Sequence, residues 1–142
     1  MAVAKARPKK APPKKPADFD AVFAGLRSIL APHARTLVAR HDKPDYYYLE
    51  TKAPVYKGRP VFFAGVRKGK GYVSFHLMPV YAYPEMRKGL SPALRKRMQG
   101  KACFNFTAVD EQLFEELRQL TAEGMEGFPE KMLRGLPGVR CV

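Results

Sequence analysis

The chain has 142 residues, and its 26 Lys and Arg outnumber its 13 Asp and Glu to give a formal net charge of +13 at pH 7. No apolar run approaches the roughly 20 residues of a membrane-spanning helix, and the two cysteines, Cys103 and Cys141, are too few for a disulfide framework. These features exclude a membrane segment and a disulfide-stapled scaffold. We expect a cytoplasmic protein whose positive field favours anionic partners.

Residues 1–17 differ in composition from the rest of the chain. They contain six Lys or Arg, four Pro and no acidic residue, and they lack the apolar stretch of a secretory signal. Such a segment cannot bury enough apolar surface to offset the entropy of ordering, which predicts a disordered basic tail. Lysines of this kind bind polyanions by releasing counterions, so nucleic acid is a candidate partner through Lys9, Lys10, Lys14 and Lys15. A purely solubilising extension is the alternative.

The next elements are a helix and two strands. Asp18 is a candidate N-cap, and apolar residues follow at spacings of three and four, which predicts a helix with one buried face. They are Phe19, Val22, Phe23, Leu26, Ile29 and Leu30. Residues 36–41 and 46–51 are predicted strands, joined by a turn at 42–45 that contains Pro44.

The segment from Arg59 to Pro79 is typical of a β-hairpin. Two runs rich in β-branched and aromatic residues flank the sequence KGKG at 68–71, which is composed of turn-forming and polar residues. In the second run Val73, Phe75 and Leu77 alternate with polar and aromatic residues, so one face is expected to pack on helices and the other to remain half-solvated.

The second half of the chain completes an α+β pattern. We expect a loop between Pro79 and Pro84, a short helix that begins at Ser91 and Pro92, a strand at 101–107 and a long helix that begins at Asp110. The order of elements predicts an antiparallel sheet of about five strands packed against N- and C-terminal helices. Residues 18–128 would form this domain, and residues 129–142 a C-terminal arm.

The half-solvated face of the predicted sheet is the candidate ligand-binding site. Polar and aromatic residues at alternating positions could line a shared concavity for a small ligand, although most such residues are simply packed or hydrogen-bonded. The candidates are Tyr48, Tyr72, Ser74, His76, Tyr83 and Asn105. The run Tyr46 to Tyr48 also permits base stacking, but we favour a half-buried strand there because tyrosine is common in strands.

Other kinds of chemistry find little support. The three histidines and two cysteines lack metal-ligand spacing, neither a phosphate-binding loop nor a dinucleotide fingerprint occurs, and no catalytic triad can be named. We therefore predict no cofactor, no metal and no catalytic residue. A second nucleic-acid candidate is the region between Arg67 and Lys101, where nine basic residues accompany one acidic residue. Within it, Arg95, Lys96 and Arg97 form the densest cluster.

Four segments resemble a bacterial family of unknown function, the YdhG-like family: YYYLET at 46–51, RPVFFAGVRKGKGYVSFHLMPVY at 59–81, LSPALRKRMQGKACFNF at 90–106 and DEQLFEELRQLTAEG at 110–124. The resemblance implies a cytoplasmic α+β domain, and some members are described as frataxin-like iron chaperones. Iron would need hard oxygen ligands, for which Glu111, Glu115 and Glu116 are candidates. Our leading hypothesis is a non-enzymatic ligand- or partner-binding module, and the alternatives are a nucleic-acid-associated protein and an iron chaperone.

Overall fold

A computed structural model describes residues 18–126 and 128–129. The predicted basic tail at 1–17 and all of the predicted arm except Pro129 lie outside these residues. The predicted α+β class is confirmed: a six-stranded antiparallel sheet is combined with helices. The helices are α1 (Phe19–Leu30), α2 (Met78–Ala82), α3 (Pro84–Lys88), α4 (Pro92–Arg95) and α5 (Glu111–Met125), and the strands are β1 (Val38–Lys43), β2 (Tyr46–Glu50), β3 (Phe62–Lys68), β4 (Val73–Leu77), β5 (Met98–Gln99) and β6 (Cys103–Phe106).

The sheet is mainly a meander of neighbouring hairpins. Its strand order is β1-β2-β3-β4-β6-β5, and every pair is antiparallel. The β3–β4 hairpin lies where the sequence predicted it, closed by a hydrogen bond of 2.9 Å from the Gly69 amide to the Tyr72 carbonyl oxygen. The sixth strand, beyond the five expected, is the two-residue β5.

Helix α1 buries the predicted apolar stripe, which includes Val22, Leu26 and Ile29. Asp18 occupies the N-cap position, but its side chain makes no capping hydrogen bond, so the predicted cap is wrong. A second Asp ties the helix to the sheet instead: Asp20 pairs with Lys68 of β3. Pro32 lies in a 3-10 turn, Ala31–Arg35, which directly follows α1.

The segment between Pro79 and Pro84 is not the predicted loop. Its residues form α2 and begin α3, with a proline in the first turn of each helix. Proline is tolerated there because the first-turn N–H groups have no partner within the helix. The predicted start of α4 is confirmed, since the Ser91 side chain accepts a hydrogen bond of 3.1 Å from the Leu94 amide.

Helix α5 begins where predicted, because the Asp110 side chain accepts a hydrogen bond of 3.1 Å from the Leu113 amide. It packs with α1 and α2, and the ring of Phe114 contacts that of Phe106 on β6 with centroids 5.1 Å apart. The core between these layers is rich in phenylalanine, and Phe63, Phe75, Phe104 and Phe106 are fully buried. The other face of the sheet, called the open face below, keeps partly exposed side chains. Among the described residues, no helix has the length and apolar character to span a membrane.

Candidate functional site

Two transverse rows of side chains form the open face. The register of the strands places Tyr46, Arg67, Ser74 and Asn105 in one row across β2, β3, β4 and β6. The neighbouring row runs from β1 to β5 through His41, Tyr48, Gly65, His76, Cys103 and Gln99. Residues far apart in sequence are therefore brought to one surface by strand pairing alone.

Five rings in contact, called the aromatic strip, dominate this surface: His41, Tyr46, Tyr48, Phe62 and His76. The imidazole of His41 stacks on Tyr46 with ring centroids 4.8 Å apart. The ring centroids of Tyr48 and Phe62 are 4.6 Å apart, and those of Phe62 and His76 are 5.1 Å apart. All five side chains are half-buried, so each ring is supported by its neighbours and still presents area to solvent.

Gly65 explains why the strip is continuous. It lies between Tyr48 and His76 in the second row, where a side chain would separate them. A β-carbon added at Gly65 would lie 3.3 Å from the Phe62 ring and 2.9 Å from the Tyr47 carbonyl oxygen. The glycine therefore leaves the space that the Phe62 ring occupies when it contacts both Tyr48 and His76.

The run of three tyrosines is divided between the two faces of the sheet. Tyr47 is only 2% exposed and belongs to the core, and the Arg27 guanidinium carbon lies 4.3 Å from its ring centroid. Tyr46 and Tyr48 belong to the aromatic strip. The predicted half-buried strand is present, and its alternation directs two tyrosines outward.

A polar ladder adjoins the strip on β4, β6 and β5. The Ser74 hydroxyl donates a hydrogen bond of 2.7 Å to Oδ1 of Asn105, and Nδ2 of Asn105 donates one of 2.8 Å to Oε1 of Gln99. The ladder fixes the orientation of the Asn105 amide beside the rings. It provides donor and acceptor groups at one end of an otherwise aromatic surface.

Cations flank the strip at the hairpin end. The Arg67 guanidinium carbon lies 4.9 Å from the Tyr46 ring centroid. Beside it is an open depression of about 360 Å³, lined by Arg67, Gly69, Lys70, Gly71, Tyr72 and Ser74. No carboxylate lines this depression, and the described residues offer Arg67 and Lys70 no salt-bridge partner. An anionic group would therefore find two cations there without displacing a protein carboxylate.

Burial favours the neutral forms of three titratable groups on the open face, which are Tyr48, His76 and Cys103. It lowers the pKa of His76, and it raises the pKa of the Cys103 thiol. The pKa of Tyr48 is also raised, mainly by burial and further by the charges of Glu50 and Tyr46, against an opposing effect of Arg40. Near neutral pH the His76 imidazole is therefore mainly uncharged, and Cys103 is a protonated thiol with little nucleophilic character.

The structure brings together four of the six predicted ligand-site residues. Tyr48, Ser74, His76 and Asn105 all lie on the open face, whereas Tyr72 lies at its edge, 43% exposed, and lines the depression. Tyr83 is 7% exposed and packs in the hydrophobic core. It follows Pro79 and the short helix α2 instead of lying in an open loop.

The predicted ligand-site set did not include four residues that supply rings or charge to the open face: His41, Tyr46, Phe62 and Arg67. The outward alternation of β2 contained the signal for Tyr46. Phe62 gave no such signal because it sits in the apolar run VFFAGV, where both neighbours Val61 and Phe63 are buried. An irregularity in the pairing of β2 with β3, next to Glu50, places it on the open face.

The cluster of Arg95, Lys96 and Arg97 lies elsewhere, on and just after α4. All three residues are exposed. Arg95 donates hydrogen bonds of 3.0 and 3.4 Å to the carbonyl oxygens of Arg87 and Lys88, which cap the end of α3. One of the three predicted nucleic-acid contacts therefore already has a structural role, while Lys9, Lys10, Lys14 and Lys15 lie outside the described residues.

Two of the carboxylates considered as iron ligands, Glu115 and Glu116, interact with other protein groups. Glu116 accepts hydrogen bonds of 2.9 and 2.7 Å from the amide and hydroxyl of Ser91, and Glu115 lies 3.9 Å from Arg118. Within residues 18–126 and 128–129, no group of three or more His, Cys, Asp or Glu is arranged to hold a metal ion.

Comparisons of the chain with models of protein families, with curated proteins and with solved structures found no match. The resemblance to the YdhG-like family therefore stays a prediction.

Proposed function

We propose that this protein is a non-enzymatic binding module whose open sheet face takes a ligand with both a flat ring and a negative charge. The observation that supports this proposal is the juxtaposition of the aromatic strip with the carboxylate-free depression at Arg67 and Lys70. Flat rings bind other rings through stacking, and two neighbouring cations favour the binding of an anion.

The proposal matches the chemistry available on this face. Burial favours the neutral forms of His76 and Cys103, and among the described residues of this face no nucleophile is hydrogen-bonded to a base that would activate it. The polar ladder of Ser74, Asn105 and Gln99 offers hydrogen bonds that would orient a ligand. Such an arrangement favours recognition over reaction.

Adenosine 5′-monophosphate, which joins a flat base to a phosphate, is a suitable probe. We expect it to shift the aromatic NMR signals of Tyr48, Phe62 and His76, and to bind more tightly than adenosine or ribose 5-phosphate, which each carry half of its chemistry. The variant Phe62→Ala should weaken binding. Tyr81→Ala is the matched control, because this ring is 48% exposed but lies on α2, outside the strip. Signal changes confined to residues away from the open face would refute the proposal.

The cationic tail is the alternative binding element. It contributes six of the 26 Lys and Arg, and it predicts polyanion binding that is independent of the strip. A full-length variant with Lys9, Lys10, Lys14 and Lys15 changed to Gln separates the two hypotheses. Binding through the tail requires this variant to lose affinity, while Phe62→Ala keeps it.

A further inference from the structure

We infer that the ligand of the open face is a single-stranded nucleic acid whose bases stack on the aromatic strip and whose backbone passes the cations at Arg67 and Lys70. The inference rests on the proposed function and specifies its ligand. It depends on the length of the strip, on the partial exposure of its rings and on the position of the charges.

The strip is longer than one base requires. His41 lies on β1, Tyr46 and Tyr48 on β2, Phe62 on β3 and His76 on β4. Neighbouring strands are about 4.8 Å apart, so the rings extend over about 14 Å across the sheet. A mononucleotide would cover only part of this run, whereas successive bases of one strand could occupy several rings.

The partly exposed rings favour a single strand over a duplex. Aromatic side chains on a sheet reach the faces of bases only when those bases are unstacked from each other, as in single strands. An open depression of about 360 Å³ lies at the hairpin end of this face, beside the strip. Stacking of this kind tolerates any base, because every base has a π-face.

Charge complementarity completes the argument for a polyanion. Arg67 lies over Tyr46 at one end of the strip. The strand register pairs exposed Lys43 with Tyr46, and exposed Lys70 follows the end of β3. The structure records no salt bridge for these three cations among the described residues. By contrast, Arg40 pairs with Glu50 at 3.4 Å. The unpaired cations therefore cluster where a phosphate backbone would leave the strip.

The test compares a fluorescein-labelled ten-nucleotide oligothymidylate with thymidine 5′-monophosphate on the full chain, by anisotropy and competition. We expect the oligonucleotide to bind at least tenfold more tightly. Phe62→Ala should weaken its binding about tenfold, and Phe62→Leu, which keeps apolar bulk but removes the flat ring, should weaken it similarly. Tyr81→Ala should leave affinity unchanged. Thermal melts verify that every variant is folded.

Salt dependence provides a second readout that simple loss of packing would not change. Between about 50 and about 200 mM salt, Arg67→Gln should lower the slope of log K against log salt by about 0.7, the contribution of one single-strand phosphate contact. Lys88→Gln, an exposed cation on α3, is the matched control and should keep the slope.

The outcomes separate this inference from the proposed function. If the oligothymidylate and thymidine 5′-monophosphate bind at the open face with equal affinity, the inference is overturned and the proposed function stands. If neither probe binds, or if binding is lost only in the four-lysine tail variant, both are overturned. Tight oligonucleotide binding that survives Phe62→Leu would also overturn the inference.

Discussion

Replacing Gly65 with Ala tests whether the packing around this glycine is as tight as the geometry indicates. The backbone of Gly65 is not in the left-handed region, so the substitution meets only a steric obstacle. The new β-carbon would lie 2.9 Å from the Tyr47 carbonyl oxygen, about 0.5 Å short of an ordinary contact at 3.4 Å. That oxygen belongs to the backbone of the neighbouring strand β2, so it cannot rotate away as a side chain would.

The expected magnitude follows from two opposing contributions. Overpacking of this kind costs about 1 to 3 kcal/mol, while loss of glycine's freedom in the unfolded chain returns about 0.4 to 1 kcal/mol. We therefore expect the free energy of unfolding to fall by about 1 to 2 kcal/mol. For a domain of this size the melting temperature should fall by about 4 °C per kcal/mol.

Urea denaturation followed by far-UV circular dichroism measures this change. Gly71→Ala is the matched control, because nothing lies within 4 Å of its added β-carbon, and its stability should stay within about 0.5 kcal/mol of the parent. An unchanged or increased stability of Gly65→Ala would refute the reasoning. An equal loss of stability in Gly65→Ala and Gly71→Ala would also refute it, because the cause would then not be the close contact at Gly65.

Three further predictions concern the titration and the stability of the domain. Burial lowers the pKa of His76, so its neutral form stabilises the fold fully above the ordinary pKa of 6.5, and this contribution is lost as the pH falls below that value. Urea midpoints should therefore decline between pH 7.5 and 5.5, and they should decline less steeply in His76→Gln. Part of the decline should remain in this variant, because burial also lowers the pKa of His33. Asp110→Ala removes the acceptor for the Leu113 amide and should destabilise the protein by about 1 kcal/mol in the same assay, with an unaltered midpoint contradicting a capping role. Phe104→Ala opens a cavity at a fully buried position and should cost about 3 to 5 kcal/mol, and a loss below about 1 kcal/mol would show that the site is not closely packed.

Periodicity predicted the larger elements because their residues face two different environments. The stripe that includes Leu26 and Ile29 identified α1, and Asp110 marked the start of α5 correctly. The Asp18 cap failed because capping requires a side-chain geometry that the residue type does not determine. The prolines at 79 and 84 were interpreted as loop markers, although the first turn of a short helix accepts proline equally well.

The composition of the open face was harder to predict than its existence. Alternation in β4 identified Ser74 and His76 correctly as neighbours on one face. The outward position of Phe62 depends on an irregular pairing of β2 with β3. The periodic pattern of the sequence does not predict a one-residue shift of this kind. The prediction for Tyr83 was wrong because this residue lies outside the strands, where alternation gives no information, and it is buried in the core.

The position of α5 at the end of the described fold has a consequence for the order in which the domain can be completed. The meander of β1 to β4 can pair between neighbours along the chain, and such local contacts form early and quickly. Phe114 and Leu117, however, cover the core only after every strand has been made. A nascent chain that ends before Asp110 would expose a phenylalanine-rich surface that favours association with other chains. We expect fragments truncated at this point to be captured by chaperones or to aggregate during synthesis, whereas a full-length chain closes the core as soon as α5 forms.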